Sequence, residues 1–266
     1  MATQQEILAA YNRLSSRIVR GAGARLGGLF ANLGSWRDDD FEAFFKLASN
    51  TLTGASLQAA RLQVAFYQQM ATVQGQNFVS PTLSAAQFST EALRNGAAAK
   101  EVYRRPFVDL YTALGQGKTM TEAIQLGVNR ISSIASTDVQ LARRNAGFGV
   151  RSRNSRIVGY ARTLTGQENC ALCFVASTQR YTRGELMPIH PGCDCGEMPI
   201  YGTQDPGQVI DELRLDATHQ AVEERFGFSD PGARAPDYRD IAIREHGELG
   251  PMLTVADQNF TGPSDL

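Results

Sequence analysis

Long hydrophobic runs are missing from this sequence, and cysteine is missing from nearly all of it. No stretch of eighteen apolar residues occurs, and the first twenty-five positions mix Gln, Glu, Arg and Asn with the apolar side chains. These absences exclude a membrane-spanning helix and argue against a secretory signal peptide, so we expect the protein to stay where it is made. With 266 residues, 42% of them hydrophobic and 20% charged, the chain is long enough to bury a core.

The sequence signatures of several common enzyme classes are also missing. Neither Gly-x-Ser-x-Gly nor His-Glu-x-x-His occurs. The segment Gly115-Gln-Gly-Lys-Thr119 looks like the end of a phosphate-binding loop, but Thr112 stands where that pattern requires its first glycine. The sequence therefore predicts no nucleotide site and no catalytic residue.

What the sequence does contain is one cysteine-rich window. All four cysteines and one of the three histidines lie there, as Cys170, Cys173, His190, Cys193 and Cys195. Two close thiols, a loop, and then His-x-x-Cys-x-Cys match the way a chain supplies ligands to a tetrahedral zinc ion. Five possible ligands are enough to close the site, which favours a structural Zn²⁺ over a catalytic one. Which of His190, Cys193 and Cys195 complete the site stays open.

Two other uses of these cysteines are weaker hypotheses. A disulfide framework belongs mainly to small secreted domains, and this chain is neither small nor preceded by an evident signal segment. A thioredoxin-type Cys-x-x-Cys would leave the second cysteine pair and its preceding histidine unexplained. We therefore expect a metal knuckle.

The net charge of −1 hides an uneven distribution of charge. Residues 143–162 contain six arginines and no acid, whereas residues 197–266 contain fourteen acids and five arginines. A solvated helix end is the ordinary explanation of such a basic stretch. The alternative is a surface that contacts phosphates or an acidic partner, for which the candidate residues are Arg143, Arg144, Arg151, Arg153 and Arg156.

Hydrophobic periodicity predicts helices for residues 1–155. The first helix is expected to be short, because glycines at 21, 23, 27 and 28 interrupt its pattern and suggest a flexible joint. The clearest helix follows Gly117, where Thr119 and Glu122 make a capping-box pair. Apolar residues then recur at alternating steps of four and three as far as Ala146, which indicates an apolar helix face that packs in a structural core.

Beyond residue 155 the pattern changes. Residues 156–202 combine short strand-like segments with the cysteine window and predict a small α+β module. Residues 203–266 predict one helix followed by an extended acidic tail with several prolines. The predicted fold class is thus mainly α: a helical N-terminal region, a small zinc-stabilised α+β module and an extended C-terminal tail.

Three stretches of the sequence together resemble one family. They are the Cys170-x-x-Cys173 pair with His190-Pro-x-Cys-Asp-Cys195, the Tyr103-Arg-Arg-Pro-Phe107 segment with residues 137–143, and Glu245-His-Gly-Glu-Leu-Gly-Pro251. The chain resembles the MuF-like minor capsid, or head morphogenesis, proteins of tailed bacteriophages, particularly those of actinobacteriophages.

That resemblance implies a structural, non-enzymatic protein of the virion, made in the host cytoplasm and present in several copies around the portal vertex. The portal protein is the expected partner of the helical region, and major capsid protein, scaffold protein and genomic DNA are further possible partners. Two alternative functions stay open: a capsid maturation protease, and a DNA-binding module ejected with the genome.

Overall fold

Helices make up most of the N-terminal half of the chain. The computed structural model describes residues 2–164, 173, 176–177, 180–190, 193, 195–202, 220, 223–224 and 241–255. Within these residues the helices are α1 (Gln4–Ala31), α2 (Asp38–Val73), α3 (Thr90–Leu93), α4 (Ala99–Gly115) and α5 (Met120–Arg153), with a 3₁₀ turn at Ala85–Phe88. The strands are β1 (Ile157–Thr163), β2 (Arg180–Thr182), β3 (Gly196–Tyr201), β4 (Ile241–His246) and β5 (Gly250–Val255).

The start of α5 confirms the predicted capping box. Thr119 Oγ1 accepts a hydrogen bond from the Glu122 main-chain nitrogen, and the Glu122 carboxylate accepts one from the Thr119 main-chain nitrogen at 2.8 Å. These reciprocal bonds satisfy main-chain donors that the first turn of a helix leaves unpaired. Thr3 and Glu6 form the same arrangement at the start of α1.

The flexible joint predicted near the end of α1 is absent, because α1 continues unbroken to Ala31. Gly23 and Gly27 are buried against α5, and a Cβ atom at Gly27 would lie only 3.2 Å from Val128 Cγ1. These glycines therefore allow α1 and α5 to approach each other closely. Helix packing explains a pattern that, read from sequence alone, indicated a break.

Aromatic rings fill the core of the helical region. Phe107 of α4 meets Phe30, Phe41 and Phe44 edge to face, with ring centroids 5.1–5.6 Å apart. This geometry places the positive edge of one ring against the negative face of another. Trp36 closes the cluster and donates its indole hydrogen to the main-chain oxygen of Phe30 at 2.8 Å.

We expect Gly127→Ala to destabilise the protein by about 1–3 kcal/mol, because the added methyl group would overlap the Phe30 ring in a filled core. Gly54→Ala is the matched control, since Gly54 is exposed in α2 and nothing lies within 4 Å of the position that its added methyl group would take. That control should raise stability by roughly 0.5–1 kcal/mol through helix propensity. Urea unfolding of both variants measures the difference, and equal behaviour would contradict the packing argument.

The strands form two small antiparallel units. In the first, β1 is central and pairs with both β2 and β3, so that Tyr160 lies opposite Tyr181 on one side and Pro199 on the other. In the second, β4 and β5 form a hairpin. One parallel bridge joins the hairpin to the first unit: Ile189 donates to the oxygen of Pro251, and Leu253 donates to the oxygen of Ile189.

The helical region and the first sheet share one hydrophobic core. Tyr11 of α1 and Tyr67 of α2 belong to the same buried cluster as Tyr160, Cys173 and Cys193. The predicted mainly α fold with a small α+β module is confirmed. The change from helix to strand falls between Arg153 and Ile157.

Part of the predicted C-terminal tail has regular structure. Residues 241–255, expected to be extended, form the β4–β5 hairpin. The helix predicted in this segment lies almost entirely outside the described residues.

Candidate metal centre

Three of the predicted ligands lie close together, and two of them belong to the loop that precedes β3. The ligand atoms of Cys173, His190 and Cys193 all lie within 4.8 Å of one another. Cys173 Sγ is 3.2 Å from His190 Nε2 and 3.6 Å from Cys193 Sγ. Cys173 lies 17 residues before His190 and 20 before Cys193, so the fold brings it to a pair that is already close in sequence.

These distances fit one tetrahedral ion. With metal–sulfur bonds of about 2.3 Å at tetrahedral angles, two ligand sulfurs lie about 3.7–3.8 Å apart, close to the separation of Cys173 and Cys193. No disulfide joins Cys173, Cys193 and Cys195 to one another. Because thiol and imidazole are ligands that Zn²⁺ favours, the donor set suits a metal ion.

Two remaining cysteines are the candidates for a fourth ligand. Cys195 is 1% exposed and lies in the same core, although it falls outside the tight group of three ligand atoms. Cys170 lies outside the described residues. The main-chain oxygen of Cys195 accepts hydrogen bonds from Gln140 at 2.8 Å and from Arg143 at 3.3 Å, so α5 holds this segment in place.

The surroundings of the site favour the thiolate form of one ligand. Hydrogen bonds with Cys173 and Cys195 lower the pKa of Cys193 well below that of an ordinary thiol, although burial opposes the shift. Cys173, Cys193 and Cys195 are each at most 3% exposed. A thiolate in such a site is ready to bind a cation, because no proton has to leave.

Arg162 of β1 lies directly against the two closest sulfurs. Its Nη1 is 3.6 Å from Cys193 Sγ and 3.9 Å from Cys173 Sγ, and its Nη2 donates to the main-chain oxygen of Pro188. The side chain is fully buried. In the sequence Arg162 is the last arginine of the basic stretch, and no local pattern connects it with the cysteines.

Three of the five arginines proposed as contact residues lie inside the protein. Arg143 and Arg144 are 3% exposed, and Arg151 is 0% exposed. Arg144 Nη2 donates to the oxygen of Leu249 at 2.7 Å, which ties α5 to the C-terminal hairpin. Burial lowers the pKa of Arg144 to about 10. The prediction of a contact surface is therefore wrong for Arg143, Arg144 and Arg151, because their guanidinium groups bind acceptors inside the protein. The other two candidates, Arg153 and Arg156, are exposed.

Arg151 belongs to a buried network that crosses the protein. Its Nη1 lies 2.5 Å from the carboxylate of Glu197 on β3, and Tyr67 of α2 donates to the same carboxylate at 3.0 Å. The guanidinium also covers the ring of Tyr160 at 4.0 Å. Burial opposes the charge, but Glu197 and Tyr67 raise the pKa of Arg151. The network therefore connects two helices with the sheet that carries the metal site.

A second buried network fixes the turn of the hairpin. Arg94 contacts Asp138 of α5 at 2.5 Å and also Glu248, and Arg105 contacts Glu248 at 2.8 Å. Tyr103 donates to Asp138. The local sequence around Glu248 gives no sign of these partners, which lie more than 100 residues away.

The fold and the site define a class: a mainly helical protein with a small strand module and a Cys/His cluster in its core. A protein-family model described as VG15 protein matches residues 1–221, and the chain belongs to that family. The family indicates a phage-encoded protein. No curated protein and no solved structure matched the chain. None of the helices in the described part combines the length and apolarity of a membrane span.

Proposed function

We propose that this protein is a structural minor capsid protein of a tailed phage, of the MuF-like type, that acts in head morphogenesis at the portal vertex. The observation that carries the proposal is the VG15 family match, which covers both the helical region and the Cys/His cluster. The architecture supports it, because long helices provide extended surfaces for packing against other virion proteins.

We further propose that the cluster holds one structural Zn²⁺. Cys173, His190 and Cys193 would be three of its ligands, and Cys195 or Cys170 would be the fourth. A closed site in a hydrophobic core leaves no open position for substrate, which is typical of structural rather than catalytic zinc. Elemental analysis of protein purified under reducing conditions tests this: one zinc per chain is expected, and metal-free folded protein would contradict the proposal.

The helical region offers a surface for the portal. The loop before α2 and the outer face of α4 border a groove of about 840 Å³ lined by aromatic and charged side chains. Val108 and Tyr111 on this groove are 55% and 50% exposed. Exposed apolar and aromatic groups beside arginine are typical of the central parts of protein interfaces.

Localisation in the virion is the direct test of the capsid role. Mass spectrometry of purified particles should find the protein at a few copies per virion, and chemical cross-linking should join its helical region to the portal protein. A protein found only in infected cells and never in particles would contradict the proposal.

We propose that the protein is not an enzyme. Among the described residues, the most buried carboxylates, at Asp138, Glu197 and Glu248, each form an ion pair with arginine. Carboxylates that are paired with arginine in this way stabilise the fold. Incubation with major capsid and scaffold proteins tests the protease alternative, and site-specific cleavage would establish it.

The alternative of a DNA-binding module now depends on fewer side chains. Arg153 and Arg156 remain exposed at the end of α5 and before β1. If they contact phosphates, DNA binding should weaken with salt and weaken further when both are replaced by glutamine.

A further inference from the structure

Arg162 is a buried cation whose surroundings differ from those of the buried arginines Arg94 and Arg151. Arg94 and Arg151 each lie against a carboxylate at 2.5 Å. Arg162 forms no ion pair with a carboxylate among the described residues; its neighbours there include the sulfurs of Cys173 and Cys193, the oxygen of Pro188 and the hydroxyl of Tyr181. A fully buried charge without a compensating anion is strongly unfavourable. Within the described part of the chain, the two sulfurs are therefore the groups placed to compensate it.

The charge of the proposed metal centre matches this position. Three thiolates and one neutral imidazole around Zn²⁺ carry a net charge of about −1, whereas four thiolates carry about −2. One guanidinium neutralises the first arrangement and leaves the second negative. His190 Nε2 already lies 3.2 Å from Cys173 Sγ, which agrees with the first arrangement.

We propose that Arg162 positions Cys173 and Cys193 as thiolate ligands and neutralises a centre made of three thiolates and His190. This inference rests on the proposed zinc site. The two N–H···S contacts orient the sulfurs from outside the ligand set, as hydrogen-bond donors around metal ligands commonly do. The side chain reaches this position because Arg162 occupies the central strand, where it pairs with Glu197 of β3 in the main-chain register.

Zinc affinity of the full-length protein tests the proposal. Arg162→Met removes the charge and both donors while keeping an unbranched apolar stem, and we expect it to weaken zinc binding about 10–100-fold in competition with a chelator. Arg156→Met makes the same chemical change at an exposed site and should leave affinity unchanged. Gly127→Ala controls for lost stability, because it perturbs the helical core far from the sulfurs.

Cobalt substitution separates a positioning role from a general loss of stability. The sulfur-to-cobalt charge-transfer band reports on the thiolates themselves, so it should shift in Arg162→Met and stay in place in Gly127→Ala. If Arg162→Met fails to fold, Arg162→Lys serves as the second test. Lysine keeps the charge but lacks the paired N–H donors of the guanidinium, so we expect weaker zinc binding and a shifted charge-transfer band.

Unchanged zinc affinity and an unchanged cobalt spectrum in the folded Arg162 variant would overturn this inference and leave the zinc site itself intact. Wild-type protein that binds no metal would instead remove the zinc proposal. A cobalt spectrum of four thiolates in wild-type protein would contradict the assignment of His190. The three results are distinct.

Discussion

Cys193→Ser is expected to lose the proposed zinc ion and much of the stability of the sheet module. Structural zinc sites contribute on the order of 10 kcal/mol of apparent binding energy, and removing a thiolate ligand forfeits most of it. Cys193 is central to the cluster, because its sulfur contacts Cys173 and faces Arg162. We expect zinc content to fall from one per chain to nearly zero and the unfolding temperature to fall by on the order of 10–20 °C.

A chelator provides the control for this variant. Stripping zinc from the wild type should reproduce the fall in unfolding temperature, whereas the chelator should have no further effect on Cys193→Ser. A variant that keeps one zinc per chain would refute the ligand assignment. Cys195→Ser then identifies the fourth ligand: retained zinc points to Cys170, and lost zinc points to Cys195.

Glu197→Gln is expected to destabilise the protein by about 3–5 kcal/mol, since it leaves the Arg151 charge buried without its counterion. The substitution keeps the shape of the side chain, so the loss would report on charge rather than on volume. Urea unfolding monitored by circular dichroism measures it. The carboxylate also accepts the hydroxyl of Tyr67, and the amide retains an oxygen that can accept that bond.

Glu42→Gln is the matched control, because Glu42 pairs with Lys100 at 2.8 Å while both side chains are more than half exposed. We expect that change to cost under about 1 kcal/mol. The double variant Arg151→Met, Glu197→Gln removes both charges and should lose less than the sum of the single changes. Similar losses for Glu42→Gln and Glu197→Gln would show that burial of the Arg151 pair has little energetic weight.

The helices and the grouping of Cys173, His190 and Cys193 were predictable because their sequence signals are specific. The capping pair at Thr119 and Glu122 and the spacing of the cysteines each fall within a short segment whose chemistry is specific. The sequence also indicated where helix changes to strand, since the helical periodicity of apolar residues in α5 stops before β1.

The arginines could not be interpreted in the same way, because burial depends on partners that are distant in sequence. Arg151 lies against Glu197 and Tyr67, which are 46 and 84 residues away. Arg144 binds the main-chain oxygen of Leu249, which is 105 residues away. A run of basic residues on a helix usually faces solvent, so sequence alone favoured a surface. Only the fold shows that α5 packs against α1, α2 and α4.

The C-terminal hairpin eluded prediction for a related reason. Its prolines and acids indicated an extended segment, yet Glu248 lies in a buried network with Arg94 and Arg105. Those basic partners belong to the helical region, and nothing near Glu248 in sequence identifies them.

The bridge between Ile189 and the hairpin sets an order of events during synthesis. Both main-chain hydrogen bonds of Ile189, the neighbour of His190, go to Pro251 and Leu253. A ribosome translating about 5–20 residues per second makes these partners several seconds after the cysteines. We therefore expect the nascent chain to present its thiols before the strand that pairs with Ile189 exists, so that the proposed zinc site is completed only when translation has passed β5.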